Sequence, residues 1–229
     1  MPVHVITGAG SGIGAALTRV LLDRGDDVVT LARNAGRAKQ IASEIPGVST
    51  LVGDLENPGR LAWALSKQHL PERIDSLVHA AGVVDLGTVG DLSAASWLQQ
   101  LTVNLMAPAE LTRLLLPVLR VSGARIVFVN SGAGLRANPE WSAYAASKHG
   151  LKALADSLRA EERANGVQVT SVYPGRTATP MQQKVHHQEG IEYVAERFID
   201  PMSVVTSILT ALDLPRDAEI TDLSVRPGK

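Results

Sequence analysis

Short apolar runs alternate along the chain with longer segments in which apolar residues recur at helical spacing. Each short run predicts a buried strand, because a strand covered on both faces of a sheet is apolar along most of its length. Seven such runs occupy residues 3–6, 28–32, 49–52, 76–82, 125–130, 167–173 and 220–225. Their alternation with helices predicts an α/β fold, in which helices cover both faces of a parallel sheet.

Helical spacing is found between the glycines near the start and Gly25, and in residues 37–45, 61–70, 93–115, 142–165 and 201–212. Pro108 is expected to kink or interrupt the long segment 93–115, because proline removes one hydrogen bond of the helix. Residues 178–194 show no strong periodicity. No repeat, low-complexity stretch or boundary divides the chain, so we expect one domain over residues 1–229.

The composition narrows the classes of partner. The 229 residues include 22 Lys and Arg against 23 Asp and Glu, so no overall charge favours nucleic acid or a membrane surface. Cysteine is absent, which excludes disulfides and thiolate chemistry. The first strand leaves no room for a signal peptide, and no apolar run reaches the ~20 residues of a membrane helix. We therefore expect a cytoplasmic protein without a nucleic-acid or membrane partner.

A glycine-rich turn follows the first strand. Gly8, Gly12 and Gly14, with an additional Gly10, lie between this strand and an apolar helical segment. Small residues let the backbone approach a diphosphate, and the N-terminus of the following helix attracts negative charge. The spacing G-x-x-x-G-x-G differs from the common dinucleotide pattern G-x-G-x-x-G, so a merely flexible turn is the alternative interpretation.

A tyrosine and a lysine share one face of a later predicted helix. Tyr144 and Lys148 are four positions apart, and side chains at that spacing lie above one another on a helix. A nearby ammonium group stabilises a phenolate, so Lys148 is expected to lower the pKa of Tyr144 from its usual value near ~10. The pair could then exchange a proton with a substrate oxygen. For an isolated pair, the alternative is a half-buried tyrosine beside a solvated lysine.

Four motifs in a fixed order give the chain a family resemblance. The turn reads T-G-x-x-x-G-x-G, the helix carries Y-x-x-x-K, Ser131 lies 13 residues before Tyr144, and Asn104 lies in T-V-N-L. In these features the chain resembles the short-chain dehydrogenase/reductase family from about residue 3 to residue 174. The resemblance implies a single doubly wound Rossmann-like domain of about seven strands. The cofactor half would be about 1–125, and the catalytic and substrate part about 126–229.

The end of the second strand bears on the choice of cofactor. An NAD site usually places an acidic side chain on the adenosine ribose, whereas an NADP site places an arginine on the 2′-phosphate. This strand ends Ala-Arg-Asn without an acid, so Arg33 favours NADP(H) over NAD(H), unless it is only a solvated loop residue. The resemblance implies further cofactor contacts at Gly8, Ser11, Gly12, Ile13, Gly14, Asp54, Leu55, Ala80, Ala81, Gly82, Tyr144, Lys148, Pro174, Gly175, Thr177 and Thr179. For Asp54, a role in a turn or helix cap is nearly as well supported.

The histidines are expected to be structural or solvated. His79 replaces an asparagine that the family usually has at the end of the fourth strand, and we expect a structural role for it. His186 and His187 point in different directions on either a helix or a strand and have no accompanying carboxylates. We therefore predict solvated side chains there and no metal. The resemblance makes this region a mobile lid over a partly apolar pocket that includes Val84, Leu135, Trp141 and Met181.

The resemblance implies reversible hydride transfer between NADP(H) and a carbonyl or secondary alcohol of a small, partly apolar substrate. Tyr144 would protonate the carbonyl oxygen, and Ser131 would hydrogen-bond it. Lys148 would bind the nicotinamide ribose, and Asn104 would support a proton path. The rivals are an epimerase or dehydratase with the same Tyr/Lys pair, disfavoured by the short chain, and a non-enzymatic NADP(H)-binding sensor, disfavoured by the intact residue set. A homodimer or homotetramer is also implied, through the helices that carry residues 107–118 and Tyr144.

Overall fold

Seven parallel strands form one sheet in the structure, a computed structural model that describes residues 1–228. The strand order is β3-β2-β1-β4-β5-β6-β7. The strands are β1 (Val3–Thr7), β2 (Asp27–Ala32), β3 (Ser49–Val52), β4 (Ser76–His79), β5 (Arg125–Val129), β6 (Gln168–Pro174) and β7 (Asp222–Val225). The predicted α/β class, with a doubly wound parallel sheet of seven strands, is confirmed.

Helices cover both faces of this sheet. They are α1 (Gly12–Asp23), α2 (Ala35–Glu44), α3 (Leu61–Leu65), α4 (Ala94–Leu101), α5 (Ala107–Ser122), α6 (Ser142–Glu162), α7 (Pro180–Glu189) and α8 (Pro201–Asp213). Helices α1, α2 and α8 pack on one face of the sheet, and α3, α5 and α6 pack on the other. None of the helices within residues 1–228 combines the length and the apolar character that a bilayer crossing requires.

Both faces of the central strands are buried, which explains why these strands are apolar throughout. Successive side chains of a strand point to opposite faces. In β4, Val78 therefore joins the core beneath α1 and α8, while Leu77 joins the core beneath α5 and α6. In β1, Ile6 joins the core beneath α1 and α8, and Val5 joins the core beneath α5 and α6. The sheet is thus the middle layer of three.

The order of the strands places a crevice beside β1. The chain runs outward from β1 to β2 and β3, and then crosses back to build β4 to β7 on the other side of β1. In open sheets of this kind, ligands bind outside the carboxyl ends of the strands at the point where the order reverses. The loops that follow β1 and β4 meet at that point.

The long segment 93–115 is interrupted, as the proline predicts. Ser93 caps α4, and a π-helical turn, Thr102–Met106, separates α4 from α5. Pro108 lies in the first turn of α5, where a missing backbone N–H costs little. The π-helical turn contains Asn104, so the irregularity lies on the side of the helix that faces the crevice loops.

Two predicted segments differ from the structure. Helix α3 is Leu61–Leu65, shorter than the predicted 61–70, and a 3₁₀ turn, Pro58–Arg60, precedes it. Residues 178–194, for which the pattern predicted no element, contain α7. Thr179 caps α7 and Pro180 occupies its first position, which are local start signals that a periodicity search overlooks.

His186 is buried, so the prediction that both adjacent histidines are solvated is wrong for this one. Its ring lies 4.8 Å from the ring of Phe198 and 5.7 Å from that of Tyr193. Its Nδ1 lies 2.8 Å from the side-chain nitrogen of Gln182. His187 is exposed, as expected. The aromatic residues that bury His186 come from the loop after α7, which no local pattern could indicate.

Candidate active site

A cleft of about 950 Å³ opens at the carboxyl ends of the central strands, and a pocket of about 270 Å³ adjoins it. Most of the predicted site residues line the cleft: Gly8, Ser11, Gly12, Ile13, Ala80, Ala81, Gly82, Ser131, Tyr144, Lys148, Pro174, Gly175, Thr177 and Thr179. The adjoining pocket contains the predicted Arg33, Asp54 and Leu55. Gly14 and Asn104 line neither space, but they pack against the wall residues Gly8 and Gly82 respectively.

The glycine turn after β1 is built from close backbone contacts. Gly8 has a φ of 76°, in the left-handed region, and a Cβ atom there would lie 2.7 Å from the backbone nitrogen of Ala81. A Cβ atom on Gly14 would lie 2.4 Å from the carbonyl oxygen of Gly8. Both positions therefore require glycine. The turn is therefore closely packed against the loop after β4 and the start of α1.

The N-terminus of α1 is open toward the cleft. Its N-cap, Ser11, makes no side-chain hydrogen bond to the helix, and the first turn contains no acidic residue. The first backbone N–H groups of a helix have no partner within it and carry partial positive charge, so they bind anions. The close turn and this helix end together fit the diphosphate of a dinucleotide.

The adjoining pocket carries two arginines where the sequence pointed to one. Arg33 is exposed at its wall, directly after β2. Arg37, in the first turn of α2, reaches back to the glycine turn, and its Nη2 donates a 2.9 Å hydrogen bond to the carbonyl oxygen of Gly10. Asn34 caps α2 by accepting from the Arg37 N–H, which fixes the position of Arg37. Sequence analysis missed Arg37, because its approach to the turn depends on how α2 packs against β2 and β3.

Asp54 makes the turn contacts that one of its two predicted interpretations requires. It lies in the wall of the smaller pocket. Its two carboxylate oxygens also accept hydrogen bonds from the backbone N–H of Glu56 and the side chain of Asn57. The carboxylate therefore shapes the turn after β3 and faces the pocket at the same time.

Ser131 is held at the end of β5 by its neighbours. Asn130 accepts a hydrogen bond from the Ser131 N–H at 2.9 Å, and its side-chain nitrogen donates to the carbonyl oxygen of Lys148 at 3.1 Å. This pair of bonds ties the strand end to α6. A Cβ atom on Gly134 would lie 2.8 Å from the same Lys148 oxygen, so the loop after Ser131 packs directly against α6. The serine hydroxyl thereby comes within reach of Tyr144.

Burial sets the protonation of Tyr144. The phenol is 5% exposed, and its burial raises the pKa to about 12, although the nearby Ser131 side chain partly opposes the rise. The expected lowering of this pKa by Lys148 is wrong in this structure. The Lys148 Nζ lies 5.8 Å from the centre of the Tyr144 ring and donates a 3.0 Å hydrogen bond to the carbonyl oxygen of Val129. Desolvation outweighs an ammonium at that distance.

Lys148 is also buried, and desolvation lowers its pKa to about 8. Its side chain is 3% exposed, and no carboxylate in residues 1–228 forms an ion pair with it. At neutral pH the Tyr144 phenol is therefore protonated and the Lys148 amine is mostly protonated. The two side chains lie on successive turns of α6. Such a pair can deliver a proton and then stabilise the charge left behind.

Asn104 joins the π-helical turn to the loop after β4 and to α6. Its side-chain oxygen accepts from the Val83 N–H at 2.8 Å, and its side-chain nitrogen donates to the Val83 carbonyl oxygen at 2.8 Å. The same nitrogen donates to the Ser147 hydroxyl at 3.0 Å. A Cβ atom on Gly82 would lie 3.3 Å from the Asn104 oxygen and 3.8 Å from the Lys148 Nζ. The side chains of Asn104 and Lys148 therefore both lie close to Gly82.

The residues around this cleft match a known family. A family model described as short chain dehydrogenase matches residues 2–190. The chain belongs to the short-chain dehydrogenase/reductase family. Dehydrogenase/reductase SDR family member 7B from Bos taurus is 33% identical over 227 residues, which cover 92% of this chain and 70% of the bovine protein.

Two solved structures resemble the whole fold. An oxidoreductase from Burkholderia thailandensis has a TM-score of 0.83 at 32% identity, with 98% of this chain and 91% of that one covered. An actinorhodin polyketide ketoreductase variant with NADPH has a TM-score of 0.85 at 25% identity, with 98% and 95% covered. The short-chain dehydrogenase/reductases are oxidoreductases that bind a nicotinamide cofactor, and the glycine turn and open helix end described above fit that group.

Thr177 and Thr179, both of which the resemblance implies as cofactor contacts, occupy different places in the cleft wall. The Thr177 hydroxyl donates to the Gly175 carbonyl oxygen at 3.0 Å. The Thr179 hydroxyl accepts from the Gln182 N–H as the cap of α7, and its methyl group would lie 3.1 Å from a Cβ atom on Gly12. Thr179 therefore faces the glycine turn, while Thr177 lies closer to the strand end.

His79 has the structural role predicted for the residue that replaces the family asparagine. Its ring stacks on Phe128 at 4.9 Å, and its Nε2 lies 2.9 Å from the Thr112 hydroxyl. Complete burial lowers its pKa to about 3, so the ring is neutral at physiological pH. It packs between β4 and α5, outside the cleft.

The substrate side of the cleft is partly apolar and lies beneath α7. Val84, Trp141 and Met181 line it as the resemblance implied, whereas Leu135 is 43% exposed and does not line it. Leu135 follows the loop after Ser131 and turns outward. The Lys184 ammonium donates to the Val84 carbonyl oxygen at 2.7 Å, which holds α7 against the loop after β4.

Proposed function

We propose that this short-chain dehydrogenase/reductase transfers a hydride between NADP(H) and a carbonyl or secondary alcohol of a small, partly apolar molecule. The observation that carries the proposal is the convergence of Ser131, Tyr144 and Lys148 in one cleft, beside a turn that fits a diphosphate. When bound, the nicotinamide cofactor supplies or accepts the hydride. The chain supplies orientation, proton transfer and exclusion of water.

In the reducing direction, Tyr144 donates its proton to the carbonyl oxygen. Its pKa of about 12 keeps the phenol protonated at neutral pH, so a proton is available when a substrate oxygen arrives. Ser131 hydrogen-bonds the same oxygen and holds it against Tyr144. Lys148 stabilises the phenolate that forms and bonds the nicotinamide ribose. Substrate and cofactor displace water when they fill the cleft, which strengthens these interactions.

The proton on Tyr144 is replaced through Lys148 and Asn104. Asn104 lies across Gly82 from the lysine, and its amide also contacts the Val83 backbone and Ser147. A water held by Asn104 would connect the buried ammonium to solvent. This arrangement depends on the π-helical turn, because the side-chain amide of Asn104 would point in a different direction from a regular α-helix.

The test of the reaction class is turnover of NADPH with ketones, quinones, sugars and 3-oxoacyl thioesters, followed by absorbance of the reduced nicotinamide. Net oxidation of NADPH that depends on one of these carbonyls supports the proposal. An epimerase or dehydratase would convert a substrate without net change in the nicotinamide. A sensor would bind NADPH and turn over nothing, so either result would contradict hydride transfer as the function.

The cofactor preference rests on Arg33 and Arg37. Both guanidinium groups border the smaller pocket, and no acidic residue follows β2 to bind a ribose hydroxyl. Guanidinium binds phosphate through paired hydrogen bonds. The similar polyketide ketoreductase was solved with NADPH, which supports the same choice. We therefore assign NADP(H) as the cofactor.

Replacing Arg33 with alanine should raise KM for NADPH by about tenfold or more and leave KM for NADH little changed. Charge-assisted hydrogen bonds contribute roughly 1.5–3 kcal/mol each, and only NADPH carries the 2′-phosphate. Steady-state kinetics with both nucleotides measures the effect. Arg33 is exposed, so the fold should persist. A wild-type preference for NADH would show the assignment to be wrong.

We also propose that the protein assembles as a homodimer or homotetramer through α5 and α6. Ala146 and Ala153 of α6 are exposed and apolar, and Leu116 and Val118 of α5 are only partly buried. A helix that covers a sheet needs a single apolar stripe, so these residues suit burial against a second copy.

Sedimentation at micromolar concentration should show a species of at least twice the 24.2 kDa chain mass. Replacing Ala153 with glutamate should shift that species toward the monomer, because it introduces a charge at the proposed interface. A wild-type protein that sediments near 24.2 kDa would contradict the assembly.

A further inference from the structure

The substrate side of the cleft carries more positive charge than the proposed reaction uses. Besides the catalytic lysine, four cationic side chains line it, and none of its lining residues is acidic. These four are Arg136, Arg176, Lys184 and Arg226. An uncharged carbonyl substrate offers these four cations no partner. A cation that is already paired within the protein needs no charge from the substrate, whereas an unpaired one is available to bind an anionic group.

Two of the four cations are already paired. Arg176 forms a two-pronged ion pair with Glu189, at the end of α7. Lys184 donates to the Val84 carbonyl oxygen and lies 3.8 Å from the Asp85 carboxylate. Both charges are therefore compensated within the protein, by contacts that hold α7 over the cleft.

Arg136 and Arg226 have no such partners. Within residues 1–228, neither guanidinium donates a hydrogen bond or forms an ion pair. Both are exposed, so leaving them unpaired costs little while the cleft is filled with water. A ligand that displaces this water has to provide compensation for them, because an unpaired charge out of water is costly.

The fold places Arg226 beside the reacting groups. Strand β7 ends at Val225, whose carbonyl oxygen accepts a hydrogen bond from the Gly175 N–H at 2.8 Å. From that end the Arg226 side chain reaches across β6 to the loop after β5. A Cβ atom on Gly132 would lie 2.8 Å from the Arg226 Nη1. The guanidinium therefore rests on the residue that follows Ser131.

The diphosphate of the cofactor is not the nearest anion site to Arg226. The glycine turn follows β1, and the loop after β5, where the guanidinium lies, is two strands away in the sheet. At ~4.8 Å between neighbouring strands, roughly 10 Å separates the guanidinium from that turn. Ser131 lies at the end of β5, only two strands from β7. Arg226 belongs to the substrate end of the cleft.

We propose that the substrate carries an anionic oxygen group, a carboxylate or a phosphate monoester, a few bonds from its carbonyl, and that Arg226 binds this group with help from Arg136. This rests on the proposed function and adds the substrate class to it. The planar guanidinium fork matches two oxygens of either anion. The group is bound without reacting, so it sets position and selectivity. Arg226 is thus a specificity-determining residue.

The test compares matched carbonyl substrates with and without the anionic group. One pair is 3-oxobutanoate and methyl 3-oxobutanoate, and the other is dihydroxyacetone phosphate and dihydroxyacetone. In each pair kcat/KM with NADPH is measured for the wild type and for Arg226→Gln. We expect the anion to be preferred by at least tenfold in one pair, which then distinguishes carboxylate from phosphate. In Arg226→Gln this ratio should fall by at least tenfold, mainly through a higher KM for the anion.

Arg19→Gln is the matched control, because it removes the same charge from an exposed position on α1 that lines neither pocket. It should keep the wild-type ratio, which separates local binding from the change in net charge. Far-UV circular dichroism checks that both variants fold. Equal kcat/KM for anion and neutral analogue in both pairs, with turnover of each, would overturn the inference and leave the proposed function intact.

Binding provides a readout that is independent of turnover. Ligand-observed NMR compares 3-hydroxybutanoate with its methyl ester, and glycerol 3-phosphate with glycerol, on the wild type and on Arg226→Gln. Tighter binding of one anion, lost in the variant, supports the inference even if no carbonyl is turned over, in which case only the proposed function fails. Equal binding of anion and neutral analogue in both pairs, without turnover, would overturn both.

Discussion

Replacing Tyr144 with phenylalanine should lower kcat by ~10²–10⁴, the range typical of a lost general acid, while nucleotide binding and the fold persist. The change removes the proton that the pKa of about 12 keeps on the phenol at neutral pH. It keeps the ring, which lies edge-on to Trp141 at 5.7 Å. Single-turnover reduction with bound NADPH measures the loss directly.

Tyr173→Phe is a suitable control for this variant. Tyr173 is also buried, but its hydroxyl donates to the Asp222 carboxylate outside the cleft. Removing that hydroxyl should cost some stability and leave kcat close to the wild-type value. Near-normal kcat in Tyr144→Phe would show that another group protonates the carbonyl.

Replacing Lys148 with methionine should abolish most turnover and at the same time stabilise the protein at pH 7. Methionine fills a similar volume without a charge. The fall in the lysine pKa from 10.5 to about 8 corresponds to about 3 kcal/mol of unfavourable charge burial. Losing the hydrogen bond to the Val129 carbonyl oxygen costs roughly 1 kcal/mol in return. The free energy of unfolding should therefore rise by about 1–2 kcal/mol at pH 7.

The pH dependence of this stability difference identifies its cause. Below pH 8 the lysine is protonated in both the folded and the unfolded wild type, and the full cost of its burial is present. Between pH 8 and 10.5 the folded state has released the proton and the unfolded state has not, so the wild type gains stability as pH rises. The advantage of Lys148→Met should shrink over this window. Urea unfolding at pH 7, 9 and 10 measures it.

Lys152→Met, one turn further along α6, is the control for this variant. Lys152 is 38% exposed and pairs with Asp156, so removing its charge should produce neither the loss of turnover nor the pH-dependent gain in stability. A Lys148→Met variant that is less stable than the wild type at every pH would show that the buried ammonium is fully compensated in the folded protein.

The sequence by itself determined the alternation of elements and the placement of Tyr144 and Lys148 on one face of a helix. These follow from local signals: apolar runs that suit buried strands, helical spacing, and the turn and capping residues between them. The four-residue spacing of Tyr144 and Lys148 needs only a helix to place both on one face. The glycine turn was predicted from the strand and helix that flank it. Both predictions use local signals alone, whereas the contact that requires glycine at position 8 comes from the loop after β4.

Only the tertiary structure decided how these residues behave. Tyr144 has a raised pKa because the surrounding elements bury it, which a spacing of four residues does not reveal. Arg37 meets Gly10, and Arg226 meets Gly132, through contacts between segments 27 and 94 residues apart in the chain. The order of the strands creates such contacts, and desolvation depends on all the elements around a group at once. A local pattern contains neither kind of information.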